Sequence, residues 1–271
     1  MATEPLLIGA VAYTANVVPI WEGIREYFRD SPAPMDFVLF SNYERQVDAL
    51  LRGHVDIAWN TNLAWVRTVG LTGGHCRALA MRDTDLVFKT VFVAREGTDL
   101  RALEDLRGRR LALGSRDSAQ AAILPLHYLG KAGLSNGAVK IVRYNSDVGK
   151  HGDTGRSELD AIRGVLADEA DAAAIGITTW ETMGRGKLAP GALQAFWESP
   201  EYCHCNFTAL EKLDASRARA WVKHLLGMDW ENPDHRRILE LEGLHKWVEP
   251  QLDGYQPLFD AVKEQGIPLR W

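Results

Sequence analysis

The sequence predicts an α/β protein of two lobes. Short apolar segments alternate with amphipathic ones, as expected for sheets covered by helices. One helix–turn–strand unit occurs twice, far apart in the chain, and 271 residues are enough to build two cores.

The first unit runs from Asn42 to Asn62. Val47, Leu50 and Leu51 stand at helical spacing, and Gly53 is suited to end that helix in the left-handed conformation. Val55, Ile57 and Trp59 then alternate as a short strand. Asn60, Thr61 and Asn62 follow where that strand should end and a helix from Leu63 to Val69 should begin. In open parallel sheets ligands bind beyond the carboxyl ends of strands, near the free amides of helix N-termini. Trp59, Asn60 and Asn62 are therefore candidate pocket residues, and the competing reading is a capped helix start beside a core Trp. The second unit, Ser157 to Gly176, repeats helix, short turn and Ala-rich strand, with Thr178, Thr179 and Trp180 in place of the Asn-Thr-Asn turn.

The remaining elements follow in order. Leu6 to Val11 reads as a buried strand and Ala12 to Asn16, with Tyr13, as a polar turn. Val18 to Phe28 is an amphipathic helix that tolerates Pro19 in its first turn. Asp36 to Ser41, Cys76 to Met81 and Val87 to Ala94 are strands, the last long enough to run from one lobe into the other. Leu103 to Gly108 is a short helix, and the strand Leu111 to Ser115 leads through Arg116 and Asp117 into a helix reaching Leu129. Ser115, Asp117 and Ser118 are N-cap candidates, and such a helix start can bind an anion. Plain capping is the competing reading. Pro125 kinks that helix or lies in its first full turn. Val139 to Tyr144 is a strand, and Asn145 to Arg156 is a polar loop carrying Lys150, His151 and Asp153. Leu193 to Trp197 and Cys203 to Leu210 are strands separated by the turn Ser199 to Tyr202. Helices are expected over Ala215–Leu226, His235–Leu241 and Tyr255–Glu264. The expected division is 1–88 and 199–271 for the first lobe and 89–198 for the second.

Composition narrows the function. A formal charge of −5 with spread Lys and Arg argues against a nucleic-acid groove or a polybasic membrane patch. No run approaches the roughly 20 apolar residues of a membrane helix. Met1-Ala-Thr-Glu-Pro5 leads straight into a strand without signal-peptide regions, so the chain as written reads as cytoplasmic; removal of a native signal would make it periplasmic. Cys76, Cys203 and Cys205 are too few and ill-spaced for a disulfide framework, which fits a reducing compartment.

Cys203-His204-Cys205 is the most unusual motif. On a strand the two thiols would point one way and His204 the other. With a third ligand such as His151, His75 or Cys76, the thiols could hold a soft or borderline transition metal, iron or zinc. The alternative is that both are small buried hydrophobes.

The chain resembles the phosphonate/phosphate/phosphite substrate-binding proteins of ABC transporters. Tyr43 to Ala58 is similar to that family's helix-and-strand segment ending in Val-Asp-Ile-Ala, and Leu103 to Gly114 to its Leu-x-Asp-Leu-x-Gly segment. Ser118 to Pro125 with Tyr128 to Gly133 resembles its anion turn and following helix, and Leu159 to Ala174 its second-lobe helix and strand. The resemblance implies a type II periplasmic-binding-protein-like fold, with two lobes closing on a small anionic or zwitterionic ligand in a cleft. It implies an ABC permease as partner if the chain is exported. It carries Ser118 onto the first hydroxyl of the anion turn, whereas Ala119 and Gln120 stand where further hydroxyls are usual. Glu158 stands nearest the family's second-lobe His, with His151 as a loop alternative, and the return segment with Tyr202 and His204 would line the cleft. The Cys-His-Cys segment is similar to the Cys-rich iron-binding segment of the thiamine pyrimidine synthase branch of this fold, although the full Cys cluster is absent. Two readings result: a non-catalytic binding protein, and a cytosolic metal-dependent biosynthetic enzyme using Cys203, His204 and Cys205.

Overall fold

The computed structural model describes residues 4–135, 137–184 and 191–270. Met1 to Thr3, the start of the segment on which the reading of the N-terminus rests, lie outside them.

The chain begins with strand β1 (Leu6–Val11), helix α1 (Val17–Phe28), β2 (Met35–Phe40), α2 (Tyr43–Arg52), β3 (Ile57–Asn60), α3 (Asn62–Thr72) and β4 (Cys76–Arg82). It continues through β5 (Thr90–Arg95), β6 (Arg110–Leu113), α4 (Leu124–Lys131), β7 (Lys140–Arg143), α5 (Arg156–Leu166), β8 (Ala172–Gly176) and the single turn α6 (Ile177–Thr179). It ends with β9 (Leu193–Glu198), β10 (Asn206–Leu210), α7 (Ala215–Leu225), α8 (Pro233–Glu242), β11 (Trp247–Val248) and α9 (Gln256–Glu264).

These elements form two units. Unit 1 holds the described residues through Val87, Cys203–Gln256 and those from Pro268. Its six-stranded sheet has the order β11-β4-β10-β3-β1-β2. β1, β2 and β3 run parallel, and β10 runs antiparallel between β3 and β4. α2 is delimited by its own sequence: the Asn42 side chain accepts from the Arg45 amide at 2.9 Å, and Gly53 closes the helix with φ +75°. Phe207 on β10 lies 4.6 Å from Trp59 and 4.8 Å from Trp221, ring to ring, in the middle of an aromatic core. Full burial of each large side chain is worth about 1.5–3 kcal/mol.

Unit 2 comprises Phe88–Tyr202 and Pro257–Ile267. Its five-stranded sheet has the order β7-β6-β8-β5-β9, with β7, β6 and β8 parallel and β5 antiparallel to both its neighbours. Ala172, Ala173 and Ala174 of β8 are fully buried. Ala173 shares its core with Ala161, Ile162 and Val165 of α5, where its small side chain lets the helix pack closely.

Several expectations need correction. The strand expected from Val87 starts at Thr90, because Phe88 first makes an isolated antiparallel bridge with Tyr202. The strand expected from Cys203 starts at Asn206, since the preceding amides bond elsewhere: Cys203 to the Gly254 carbonyl and His204 to that of Asp85. Residues 199–202 and 257–267, expected in the first lobe, belong to unit 2. The helix after Ser118 begins as a π turn, Ala119–Ile123, and Pro125 then occupies the first turn of α4, where its missing amide costs nothing.

Candidate functional site

In unit 1 the carboxyl ends of parallel β1 and β3 carry the first candidate residues. Tyr13 follows β1, half-buried, with its amide bonded to the Val11 carbonyl at 3.0 Å. Trp59, as the structure describes it, follows the competing reading of a core Trp. It packs in the aromatic core against Phe207 and Trp247, with the Arg82 guanidinium over its ring at 5.3 Å. Asn60 is buried and structural: its Oδ1 accepts from Gln46 Nε2 at 2.9 Å, and the same Gln46 nitrogen reaches the Trp59 carbonyl at 2.7 Å. Thr61 caps α3 by accepting from the Ala64 amide, and buried Asn62 reaches the Cys203 carbonyl at 3.5 Å. The expected amide-rich turn is present, but its amides hold the fold. Gln46 was missed because, among Glu44, Arg45 and Asp48, it reads as part of the solvated face of α2.

The second candidate turn, in unit 2, is denser. β6 ends at Leu113, and Ser115, Asp117, Ser118 and Gln120 follow, each essentially buried. Ser118 caps the π turn, its Oγ accepting from the Ala121 amide at 3.2 Å. Ala119 and Gln120 supply the first amides of that turn, the class of donor that lacks intrahelical partners. The polar loop after β7 folds onto this turn. Ser115 Oγ donates to Asp147 Oδ1, Asp117 Oδ2 accepts from the Gly149 amide, and Thr154 Oγ1 donates to Asp147 Oδ2 at 2.7 Å. Gly152, at φ +90°, lies so close that a Cβ there would stand 2.5 Å from both Ser118 Oγ and Gln120 Nε2. Any larger residue there would be strained at that φ and would displace the Ser118 and Gln120 side chains. His151, also buried, precedes it with φ +54°.

Glu158 forms the floor. Its Oε1 accepts from Gln120 Nε2 at 3.0 Å and its Oε2 from the Gly176 amide at 2.8 Å. Burial raises its carboxyl above the ordinary value, and those hydrogen bonds with one from Thr179 oppose the rise. Gln120 Oε1, Asp117 Oδ1 and Ser157 Oγ are buried without a hydrogen-bond partner among the described residues. Tyr202 is buried at the rim, its hydroxyl 3.1 Å from Thr90 Oγ1, which in turn donates to the Gln120 carbonyl at 2.9 Å. Ser115, Ser118, Ala119, Gln120, Glu158 and Tyr202 therefore belong to one connected network of unit 2. Thr178 is exposed, and Trp180 packs in the unit 2 core, so neither joins the network. Asp147, Gly152 and Ser157 were missed; the three glycines Gly149, Gly152 and Gly155 were the available signal, each adopting positive φ.

The residues of the expected metal set are divided between the two units, and within unit 1 the two cysteines take different partners. His151 stands in unit 2 and the cysteines in unit 1. Cys203 Sγ donates to the Gln251 carbonyl at 3.2 Å, and burial pushes its thiol up to about 11. Because residues 203–205 precede the strand, the expected alternation fails: His204 turns toward Cys205, with Nδ1 3.0 Å from Sγ. Buried Asp85 completes that group, its Oδ1 3.5 Å from the same nitrogen.

A family model described as the ABC transporter, phosphonate, periplasmic substrate-binding protein matches residues 12–255. A curated relative, the probable ABC transporter phosphite binding protein PhnD1 of Prochlorococcus marinus (strain MIT 9301), is 23% identical over 86% of this chain and 79% of its own. The structure of PhnD1 from P. marinus in complex with methylphosphonate superposes with TM-score 0.74 at 20% identity, covering 96% of this chain and 98% of that one. The aliphatic sulphonate binding protein SsuA of Escherichia coli gives TM-score 0.66 at 15% identity over 98% and 94% of the two chains. These neighbours are type II periplasmic binding proteins, and that is the fold of this chain. Among the described residues no helix is long and apolar enough to cross a membrane.

Proposed function

We propose, for a chain that belongs to the phosphonate family of ABC-transporter periplasmic substrate-binding proteins, that it binds a small zwitterionic oxyanion at the unit 2 turn and delivers it to an ABC permease. The carrying observation is the helix start after β6, where the Ser118 hydroxyl and the first amides of the π turn meet buried acceptors. A phosphonate or phosphite-like headgroup takes the amides and hydroxyl as donors. The acceptors suit a protonated amine on the same ligand: Gln120 Oε1 and Asp117 Oδ1 lack partners among the described residues, and Asp147 and Glu158 add buried carboxylates. With Ala119 and Gln120 in place of further hydroxyls, the turn holds the anion with fewer side-chain donors, so the amine end carries more of the selectivity. The relatives named above for phosphite and methylphosphonate support the headgroup class. No arrangement in this network favours catalysis over binding.

Titration calorimetry tests the reading with phosphite, methylphosphonate and an aminoalkylphosphonate. The expected order places the aminoalkylphosphonate tightest. Ser118→Ala should weaken all three by roughly tenfold, the worth of one hydrogen bond to a charged group. Equal affinity for the amine-bearing and amine-free ligands would remove the zwitterion. Binding of none of them would remove the headgroup class.

A further inference from the structure

We propose that Asp85, His204 and Cys205 form a binding site in unit 1 for one divalent cation of borderline softness, of the Zn2+ class. All three side chains are buried, and one donor atom from each lies within 4.8 Å of the others. The decisive feature is convergence. Cys205 Sγ at 3.0 Å and Asp85 Oδ1 at 3.5 Å both face the same ring nitrogen, His204 Nδ1. A thiol–imidazole–carboxylate relay needs its two partners on opposite ring nitrogens. A cation between the three atoms would take the ring-nitrogen lone pair, the sulfur and the carboxylate oxygen together. Zn–ligand bonds of about 2.0–2.3 Å at tetrahedral angles give ligand–ligand edges of roughly 3.3–3.8 Å, a range the Nδ1–Oδ1 separation already meets.

The surroundings agree in orientation and rigidity. Arg82 Nε and Nη2 grip both Asp85 oxygens at 2.6 and 2.9 Å, and its Nη1 lies 3.6 Å from Glu242 Oε1. Glu242 and Asp85 thus sit on one guanidinium, which orients the Asp85 carboxylate toward His204 and Cys205. Arg82 holds Asp85 as outer-shell donors hold ligating carboxylates. The His204 amide bonds the Asp85 carbonyl at 2.9 Å, which fixes two of the ligands to each other through the backbone. A mixed sulfur, nitrogen and oxygen set suits Zn2+ rather than Mg2+ or Ca2+, which take oxygen alone. Cys203, engaged with the Gln251 carbonyl, is not a ligand.

The test is a Co2+ titration of the full chain, reduced and freed of metal under anaerobic conditions, followed by absorption and then by Zn2+ competition. One equivalent of Co2+ should give a thiolate-to-metal charge-transfer band, and Zn2+ should abolish it. The band should persist in Cys203→Ser and in Cys76→Ser, and Cys205→Ser should lose it and weaken Zn2+ binding by roughly 100-fold or more. The absence of the band in the wild-type chain would overturn the proposal without any variant. So would a band that survives Cys205→Ser or vanishes in Cys203→Ser.

Discussion

At the scale of single residues, Glu158 shows how the turn of unit 2 stores electrostatic free energy. Its carboxyl is buried, and burial is the largest influence on it, raising its pKa above the ordinary 4.5; Asp147 adds to the rise, while bonds from Thr179, Gly176 and Gln120 oppose it. The folded chain therefore holds this proton more tightly than the unfolded chain does. The sign follows from linkage: the stabilisation is complete below about pH 4.5 and is lost as pH rises through the raised value. Glu158→Gln removes the titration and leaves a constant offset, because the amide keeps only one of the two acceptors. Urea unfolding across pH 4 to 8 should show the wild type losing stability relative to Glu158→Gln as pH rises. Parallel profiles would mean that the group does not titrate differently on folding. In the proposed reading the same carboxyl is the acceptor, already desolvated by the fold, that an amine would meet.

At the scale of elements, the legible parts are those whose signals are local. α2 is the best case: its apolar spacing, the Asn42 cap and Gly53 at φ +75° all lie within one short stretch. Gly53→Ala should cost about 1–2 kcal/mol, the penalty of a left-handed L-residue, read as a lower urea midpoint with unchanged slope. Lys212 Nζ, 2.8 Å from the added Cβ, is the end of a flexible chain and can move aside. An unchanged midpoint would show that the helix end relaxes without strain. The illegible parts are those fixed from a distance. Cys203 to Cys205 alternate like a strand, yet Asp85 and Gly254, remote in sequence, claim their backbone amides and turn His204 toward Cys205. Trp59 sits on a correctly read strand, but all four residues of β3 are buried, so alternation cannot say which of them meets the aromatic core. The Ser118 turn was legible as a helix start, whereas its covering loop was not, because positive φ at Gly149, Gly152 and Gly155 has no periodicity to read.

At the scale of the whole molecule, the chain leaves unit 1 at Val87, returns at Cys203 and departs again after Gln256 to place most of α9 in unit 2. That last excursion fastens the C-terminal region to a unit built from the middle of the chain. Leu258, Ala261 and Val262 are buried, Glu264 Oε2 lies 2.6 Å from Nδ1 of the fully buried His127 side chain, and Gln265 Nε2 donates to the Ile123 carbonyl at 2.8 Å. Ile123 ends the π turn that Ser118 caps, so Gln265, directly after α9, ties the C-terminal segment to the turn of the proposed oxyanion site. Replacing Leu258 and Glu264 together by Ala should cost about 2–5 kcal/mol for the cavity and about 1–3 kcal/mol for the imidazole left unpaired. Against a typical total of 5–15 kcal/mol, that is enough to open one unit selectively. Amide hydrogen exchange on the full chain distinguishes the outcomes. Protection should fall in β5, β6 and β8 and persist in β1, β2 and β3, with oxyanion affinity falling in step because the π turn loses that tie. Loss of protection in β1 to β3 first would place the helix with unit 1, and uniform loss throughout would show that the two units unfold as one.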